Sequence, residues 1–344
     1  MPLGAGKAGG DVVETRLGRV VAPVEEVPGE DADADYAAPV TRHFLTGEEL
    51  TGEELTVLLD RAAEMKRDRL AHRPLEGRSV ALLFDRPSTR TRVSFEVGIA
   101  ELGGHAVVLR EGETQLARGE SPRDTAAVLS RFVAAIGIRT GPHEVARQLA
   151  DASEAPVVNM LTAEHHPCQA LADLLTLHER FGRLEGLRVA YVGDANNVAR
   201  SLGLIGARLG VEVAIATPPE LLPDDGLSLS LAHGLGWVSF GTDPVEAVRG
   251  AHAVYTDVWV SMGDEAEADE RRRVLAPYRV DAALVSGARD DAVVLHCLPA
   301  HPGEEIEADV LYGERSAVWD QAENRLHTQK ALLEMLVGTL PRTG

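Results

Sequence analysis

Short apolar runs and longer segments with helical spacing alternate along most of this chain. Runs at Ser79–Phe84, His105–Leu109, 132–138, 156–160, 187–192, 211–216, 237–240, Ala253–Thr256 and 293–295 have the length and composition of buried strands. Between them, apolar residues recur at helical intervals. Val93, Val97 and Ala100 mark one such helix face, beginning at Thr89 and stopping near Gly103-Gly104. Further helices are predicted over 124–130, 145–150 and 170–180, and from the Asn196-Asn197 pair to 209. A long terminal helix is predicted over 323–340, preceded by a last edge strand at 317–320. Near the start, Thr46-Gly47-Glu48-Glu49-Leu50 is repeated at once as Thr51-Gly52-Glu53-Glu54-Leu55. Each copy carries a Thr-x-x-Glu capping pattern, so a small tandem duplication offers two starts for one helix running to about residue 70.

Strand and helix in alternation, in two blocks separated by the glycine-bounded stretch 182–186, predict two parallel-sheet α/β domains. In such sheets ligands bind beyond the carboxyl ends of the strands. The polar clusters of this chain fall there. Ser88-Thr89-Arg90-Thr91-Arg92 follows the first strand at the start of a helix, where free N–H groups and the helix dipole suit a phosphate. Arg90 and Arg92 add forked donors matched to phosphate oxygens. Arg139 closes the strand at 132–138. Alone it reads as a snorkelling surface residue; in this pattern it is a further fork for a phosphate or carbonyl oxygen. His166 and Gln169 share one face of a helix start, a carbonyl-polarising pair, whereas the neighbouring His165 reads as structural. The second block supplies Asn197, Asp257 with Ser261 and Met262, and Cys297-Leu298. Asp257 and Ser261 fit either a turn cap or a grip on an amine and a carboxylate. The expected active site is a cleft between the two domains, with part of the substrate on each.

Composition narrows the chemistry. The 344 residues carry a formal net charge of −20, which argues against a nucleic-acid partner, since that would need a basic face. An anionic substrate therefore needs a local basic pocket, which the arginines near Ser88 offer. The cysteines are Cys168 and Cys297, with no Cys-x-x-Cys pair, so neither a zinc knuckle nor a redox motif is predicted and a cytoplasmic setting is expected. Cys297 and His296 are neighbours on a strand and point to opposite faces, which disfavours a Cys-His nucleophile; Cys297 alone reads as a small buried hydrophobe. No apolar run is long enough for a membrane span, and no signal peptide is evident. The first 40 residues, with acids dense at 30–35, read as a disordered acidic tail.

Ser88-Thr89-Arg90-Thr91-Arg92, His166-Pro167-Cys168-Gln169, Asp257-Val258-Trp259-Val260-Ser261-Met262-Gly263 and His296-Cys297-Leu298-Pro299 together resemble the aspartate and ornithine transcarbamoylases. The last two motifs belong to the ornithine branch, and the likeness covers about residues 42–340. The resemblance implies transfer of a carbamoyl group from carbamoyl phosphate to the δ-amine of L-ornithine, giving citrulline in arginine metabolism. It divides the chain into the tail (1–40), a carbamoyl phosphate-binding domain (41–181), an ornithine-binding domain (182–322) and a terminal helix (323–344) packing back on the first. Carried over by motif, Ser88, Thr89, Arg90, Thr91, Arg139, His166, Gln169 and Arg325 would bind carbamoyl phosphate. Gln115 would reach it from a neighbouring subunit of a homotrimer. Asn197, Asp257, Ser261 and Met262 would hold ornithine, and Cys297 and Leu298 would lie where the substrates meet. Arg90, Thr91, Arg139, His166, Gln169 and Cys297 would carry the catalysis. No metal and no cofactor is implied.

Rival readings each want a feature this chain does not carry. An aspartate-specific relative would want a lysine in the 110–121 loop, which here has Gln115 and none. A dehydrogenase would want a glycine fingerprint; Gly193-Asp194-Ala195-Asn196-Asn197 does not provide one. A binding protein without activity would be expected to have lost motif residues. Putrescine and acetylated ornithine stay open as acceptors.

Overall fold

A computed structural model describes residues 41–222, 237–260 and 268–338. The expected acidic tail, Ser261 and Met262 lie outside the described residues.

The first half builds a four-stranded parallel sheet from β1 (Ser79–Phe84), β2 (His105–Leu109), β3 (Ala135–Arg139) and β4 (Val157–Leu161), in the order β2-β1-β3-β4. Its helices are α1 (Gly52–Arg67), α2 (Thr89–Glu101), α3 (Pro122–Leu129) and α4 (His143–Ala152). Helix α5 (Pro167–Phe181) follows β4 and is buried along most of its length. The second half builds a five-stranded parallel sheet from β5 (Arg188–Val192), β6 (Glu212–Ala216), β7 (Val238–Gly241), β8 (Ala253–Thr256) and β9 (Val293–His296), in the order β7-β6-β5-β8-β9. Helix α6 (Asn197–Arg208) follows β5. The central strands are apolar between their end residues, as sheets covered by helices on both faces require, with polar side chains such as Arg139 and Thr256 only at the ends.

Each sheet has a switch point where successive connections leave in opposite directions. In the first it lies between β1 and β3, where Phe84 pairs with Arg139. In the second it lies between β5 and β8, where Tyr191 pairs with Tyr255. The loops after these four strands therefore gather in two pairs. Two glycines are fixed here, one by close packing and one by its backbone conformation. A Cβ on Gly137, in β3, would stand 2.9 Å from Met160 Sδ and 3.0 Å from Leu82 Cδ2. Gly193, at the end of β5, has φ 130°, a conformation that side chains rarely adopt.

Several elements differ from their sequence expectation. The terminal helix begins at Val318, so 317–320 is its N-cap and first turn rather than an edge strand. Only a single bridge, Val294 to Ser316, survives of the expected pairing. The strand expected from 132 starts at Ala135, because Phe132 belongs to the turn after α3 and is 73% exposed. Helix α2 buries Phe95 and Ile99; the Val93–Val97 stripe that marked it in the sequence faces outward. Of the duplicated pentapeptides, the second opens α1. Thr51 Oγ1 accepts from Glu54 N at 3.2 Å and Glu54 Oε2 from Thr51 N at 3.0 Å, a closed capping box. The first folds as a turn around Glu49, whose carboxylate accepts from the backbone N–H of Leu45, Thr46 and Gly47.

The terminal helix Val318–Leu336 packs against α1, α2 and α5, and it buries polar residues. Lys330 Nζ, inside that packing, donates to Arg69 O at 2.6 Å and Glu101 Oε2 at 2.7 Å. Arg61 is bidentate on Glu334.

Candidate active site

The loops after β1, β3, β4, β5, β8 and β9 surround a cleft of about 800 Å³. From the first sheet it is lined by Arg86, Ser88, Thr89, Arg90, Arg139 and His166. From the second it is lined by Asn196, Asn197, Asp257, Cys297 and Leu298, with Arg325 of the terminal helix.

Ser88 is the N-cap of α2: its backbone is extended, and Oγ accepts from Thr91 N at 3.4 Å. That leaves the first amides of the helix at the cleft, next to the guanidinium groups. Thr91 itself is buried and does not line the cleft. Its hydroxyl accepts from Ser88 Oγ at 3.0 Å and from Arg325 Nη2 at 2.9 Å, so it braces the helix start and an arginine from the other end of the chain. Arg92, expected beside Arg90, is instead paired with Glu96 on the outer face of α2 at 2.9 Å. Arg90 reaches across the cleft, where Nη2 donates to the Leu298 carbonyl at 2.6 Å.

Arg139 is only 7% exposed, and Arg325 4%. Burial pushes the Arg139 guanidinium down to about 10, with Arg325 and Arg90 pressing in the same direction. Burial also holds the His166 imidazole well below its ordinary value, helped by Arg325, Arg139 and Arg90. His166 is therefore neutral at pH 7. Among the described residues, buried Arg139 Nε, Arg325 Nε, His166 Nδ1 and Gln169 Oε1 have no protein partner. Buried polar atoms are rarely left so, and here they cluster around one group of like charges, the electrostatics of an anion site.

The opposite wall is a carboxylate in a frame. Asp257 Oδ2 accepts from Asn196 Nδ2 at 2.8 Å, and Oδ1 from Cys297 Sγ at 2.9 Å. Burial, then the Asp257 carboxylate, push the Cys297 thiol well up, so it stays protonated. His296 is turned away from it: Nε2 meets Glu305 Oε1 at 3.1 Å, and Nδ1 accepts from Leu298 N at 2.9 Å. No Cys-His dyad is formed. Leu298 holds φ 59°, unusual for a branched side chain, and it is pinned by that His296 contact and by Arg90.

Asn197 lines the cleft, but its Nδ2 donates to Thr162 O at 2.6 Å, across to the loop after β4. His166 N donates to Ser201 Oγ of α6 at 2.8 Å, a second bond between the halves. Gln169 is 1% exposed and stands behind the lining. Gln115 is exposed on the loop after β2 and does not line the cleft. The sequence reading missed Asn196. Its Oδ1 caps α6, accepting from Val198 N at 2.9 Å and Ala199 N at 3.3 Å, and also takes the Tyr191 hydroxyl at 3.0 Å. A second asparagine at a strand-to-helix turn is an N-cap signal and could have found it.

Known proteins match this arrangement. The aspartate/ornithine carbamoyltransferase carbamoyl-P binding domain matches residues 42–179, and the Asp/Orn binding domain of the same family matches 185–336. The chain is similar to an ornithine carbamoyltransferase of Acidothermus cellulolyticus, 55% identical over 301 residues, covering 86% of this chain and 96% of the relative. One from a Parafrankia strain is 53% identical over 305 residues, with the same coverage. The solved structure of ornithine carbamoyltransferase from Pyrococcus furiosus superposes with a TM-score of 0.83 at 46% identity, covering 88% of this chain and 99% of that one.

Proposed function

Because the chain belongs to the aspartate/ornithine carbamoyltransferase family, we propose that its cleft joins carbamoyl phosphate to ornithine. The chain transfers the carbamoyl group of carbamoyl phosphate to the δ-amine of ornithine, giving citrulline and phosphate. The observation that carries this reading is the meeting, in one cleft, of a helix N-terminus with Arg90, Arg139 and Arg325 on one side and a framed Asp257 on the other.

Carbamoyl phosphate lies with its phosphate on the α2 amides, Ser88, Thr89 and Arg90. Its carbonyl oxygen faces Arg139 and His166, which stabilise the charge that grows there in the tetrahedral transition state. Thr91 acts from beneath, through Ser88 and Arg325. Ornithine lies with its α-amino group on Asp257 and its carboxylate toward Asn197; Ser261 and Met262, outside the described residues, are assigned to it by motif alone. An unperturbed alkyl amine, pKa about 10, is mostly protonated at pH 7. Several arginines around the reacting carbon disfavour that ammonium form. The δ-nitrogen attacks the carbonyl carbon, the carbon–oxygen bond to phosphate breaks, and the amine proton leaves on the phosphate. No protein base is needed. Cys297 and Leu298 border the reacting groups; the thiol stays protonated and is not a nucleophile. Orientation of two substrates in one cleft supplies much of the rate.

The chain works as a homotrimer in the cytoplasm on this reading, with Gln115 completing a neighbour's site. Its exposure outside its own cleft supports that role, as do the exposed apolar side chains of Val93, Val128 and Phe132 on the same half. No described helix is long and apolar enough to cross a membrane, and both cysteines are free. Citrulline formation by the purified protein from carbamoyl phosphate and ornithine tests the reaction. Folded protein that makes none would remove it.

A further inference from the structure

Behind the cleft, the fully buried Asp173 of α5 takes two amides on one oxygen. Gln169 Nε2 donates to Asp173 Oδ1 at 2.8 Å, and Gln321 Nε2 of the terminal helix donates to the same atom at 2.7 Å. Gln321 is itself fixed, because its Oε1 accepts from His296 N at 2.9 Å. The carboxylate thus sees only donors. It forces the Gln169 amide to turn its NH2 inward and leaves Oε1 as the free end. That Oε1 is buried and has no partner among the described residues. Gln169 lies three residues after His166, on the same face of α5.

We propose that Asp173 is a positioning residue for donor selectivity: by fixing which end of the Gln169 amide is free, it makes a buried acceptor that selects a carbamoyl over an acyl group. The inference rests on the cleft's being a carbamoyl phosphate site. Most of that site offers donors, from Arg90, Arg139, Arg325 and the α2 amides. They suit the phosphate and the carbonyl oxygen, which acetyl phosphate shares. The two donors differ only where carbamoyl phosphate has NH2 and acetyl phosphate a methyl group, and only an acceptor can tell these apart. A side-chain amide is nearly symmetric in shape. Without Asp173 it turns either way, and the NH2 end rejects a carbamoyl NH2. Burial pushes the Asp173 carboxyl up to about 7, with the two glutamines pulling back. Oδ1 remains an acceptor whether or not the other oxygen carries a proton, so orientation survives across neutral pH.

The measurement is the ratio of dissociation constants, acetyl phosphate over carbamoyl phosphate, by calorimetry on the full-length protein. Loss of one oriented hydrogen bond to a buried group corresponds to about tenfold. D173L is expected to lower the ratio about tenfold, with D173S read in its place if leucine does not fold. D173N keeps an acceptor oxygen for both glutamines and is expected to hold the ratio within about threefold of wild type, a rescue that rules out mere loss of packing. Q169M removes the acceptor itself and is expected to match D173L. An unchanged ratio in D173L or D173S, or a ratio in D173N as low as theirs, overturns the assignment. Wild-type protein that fails to bind carbamoyl phosphate at all would instead overturn the reading of the cleft.

Discussion

At the scale of single residues, the cleft separates groups that face it from groups that hold those in place. Arg90 does both, since it lines the cleft and ties the Leu298 carbonyl of the opposite wall. R90A is therefore expected to lose at least about a hundredfold in kcat/KM, about 3 kcal/mol, with circular dichroism unchanged. Near-normal turnover by folded R90A would count against a phosphate on the α2 N-terminus. Ser88, Arg139, His166, Asp257 and Cys297 were legible as cleft residues because each ends a strand or opens a helix, a position readable from local pattern. Asn196, Asp173 and Gln321 were not legible as positioning groups. Their roles come from bonds to Asp257, Gln169 and His296, and a chain read in order does not show the distant partners. Gln115 carried motif weight in the sequence, yet it is exposed away from its own cleft, whereas Gln169 is buried directly behind the lining, three residues after His166.

At the scale of elements, the duplicated pentapeptide shows how context separates identical segments. Only the second copy has a helix after it, so Thr51 caps α1 while Thr46 braces a turn. T51A is expected to lower unfolding stability by about 1 kcal/mol. Urea titration showing T46A to be the costlier change would reverse the assignment. The face of α2 was misread because a short apolar stripe on a helix does not say which side packs, and the 317–320 segment was misread as a strand. Short apolar stretches fit strand and helix alike, and tertiary contacts decide between them. The junction of α5 with the terminal helix carries a pH signature. Asp173 binds its proton up to about 7 when folded, against 3.8 for the ordinary group. Between those values the folded state holds more protons than the unfolded state, so this group's contribution to stability falls as pH rises. The span is worth a few kcal/mol at about 1.4 per pKa unit. D173N is expected to lose less stability than wild type between pH 5 and pH 8. Equal losses would show that Asp173 keeps an ordinary pKa.

At the scale of the whole molecule, two parallel sheets meet so that their switch points share one cleft. The two-block alternation in the sequence announced the sheets. The bonds that join the halves, Asn197 to Thr162, His166 to Ser201 and Arg90 to Leu298, were beyond local pattern. The cleft concentrates positive charge in a chain of net charge −20, so its field is local. Residues 1–40 are acid-rich and lack apolar periodicity, while the family match begins at residue 42. A truncated protein beginning at Pro39 is expected to keep assembly and turnover; loss of either, by light scattering or assay, would make the tail part of the working enzyme.

The central claim is that one wall grips a carbamoyl donor and the other an α-amino acid. Putrescine has no carboxylate for Asn197 and its neighbours, and an acetylated α-amine gives Asp257 no cation. Buried groups left unpaired cost about 1–3 kcal/mol each, and sites built for a polar group reject analogues without it strongly. The most direct test compares kcat/KM for ornithine, putrescine and acetylornithine at saturating carbamoyl phosphate, in wild type and D257N. Ornithine is expected to exceed both others by at least about a thousandfold, with D257N losing most on ornithine. Putrescine or acetylornithine turned over as well as ornithine, or D257N indifferent to the α-amine, would contradict the account.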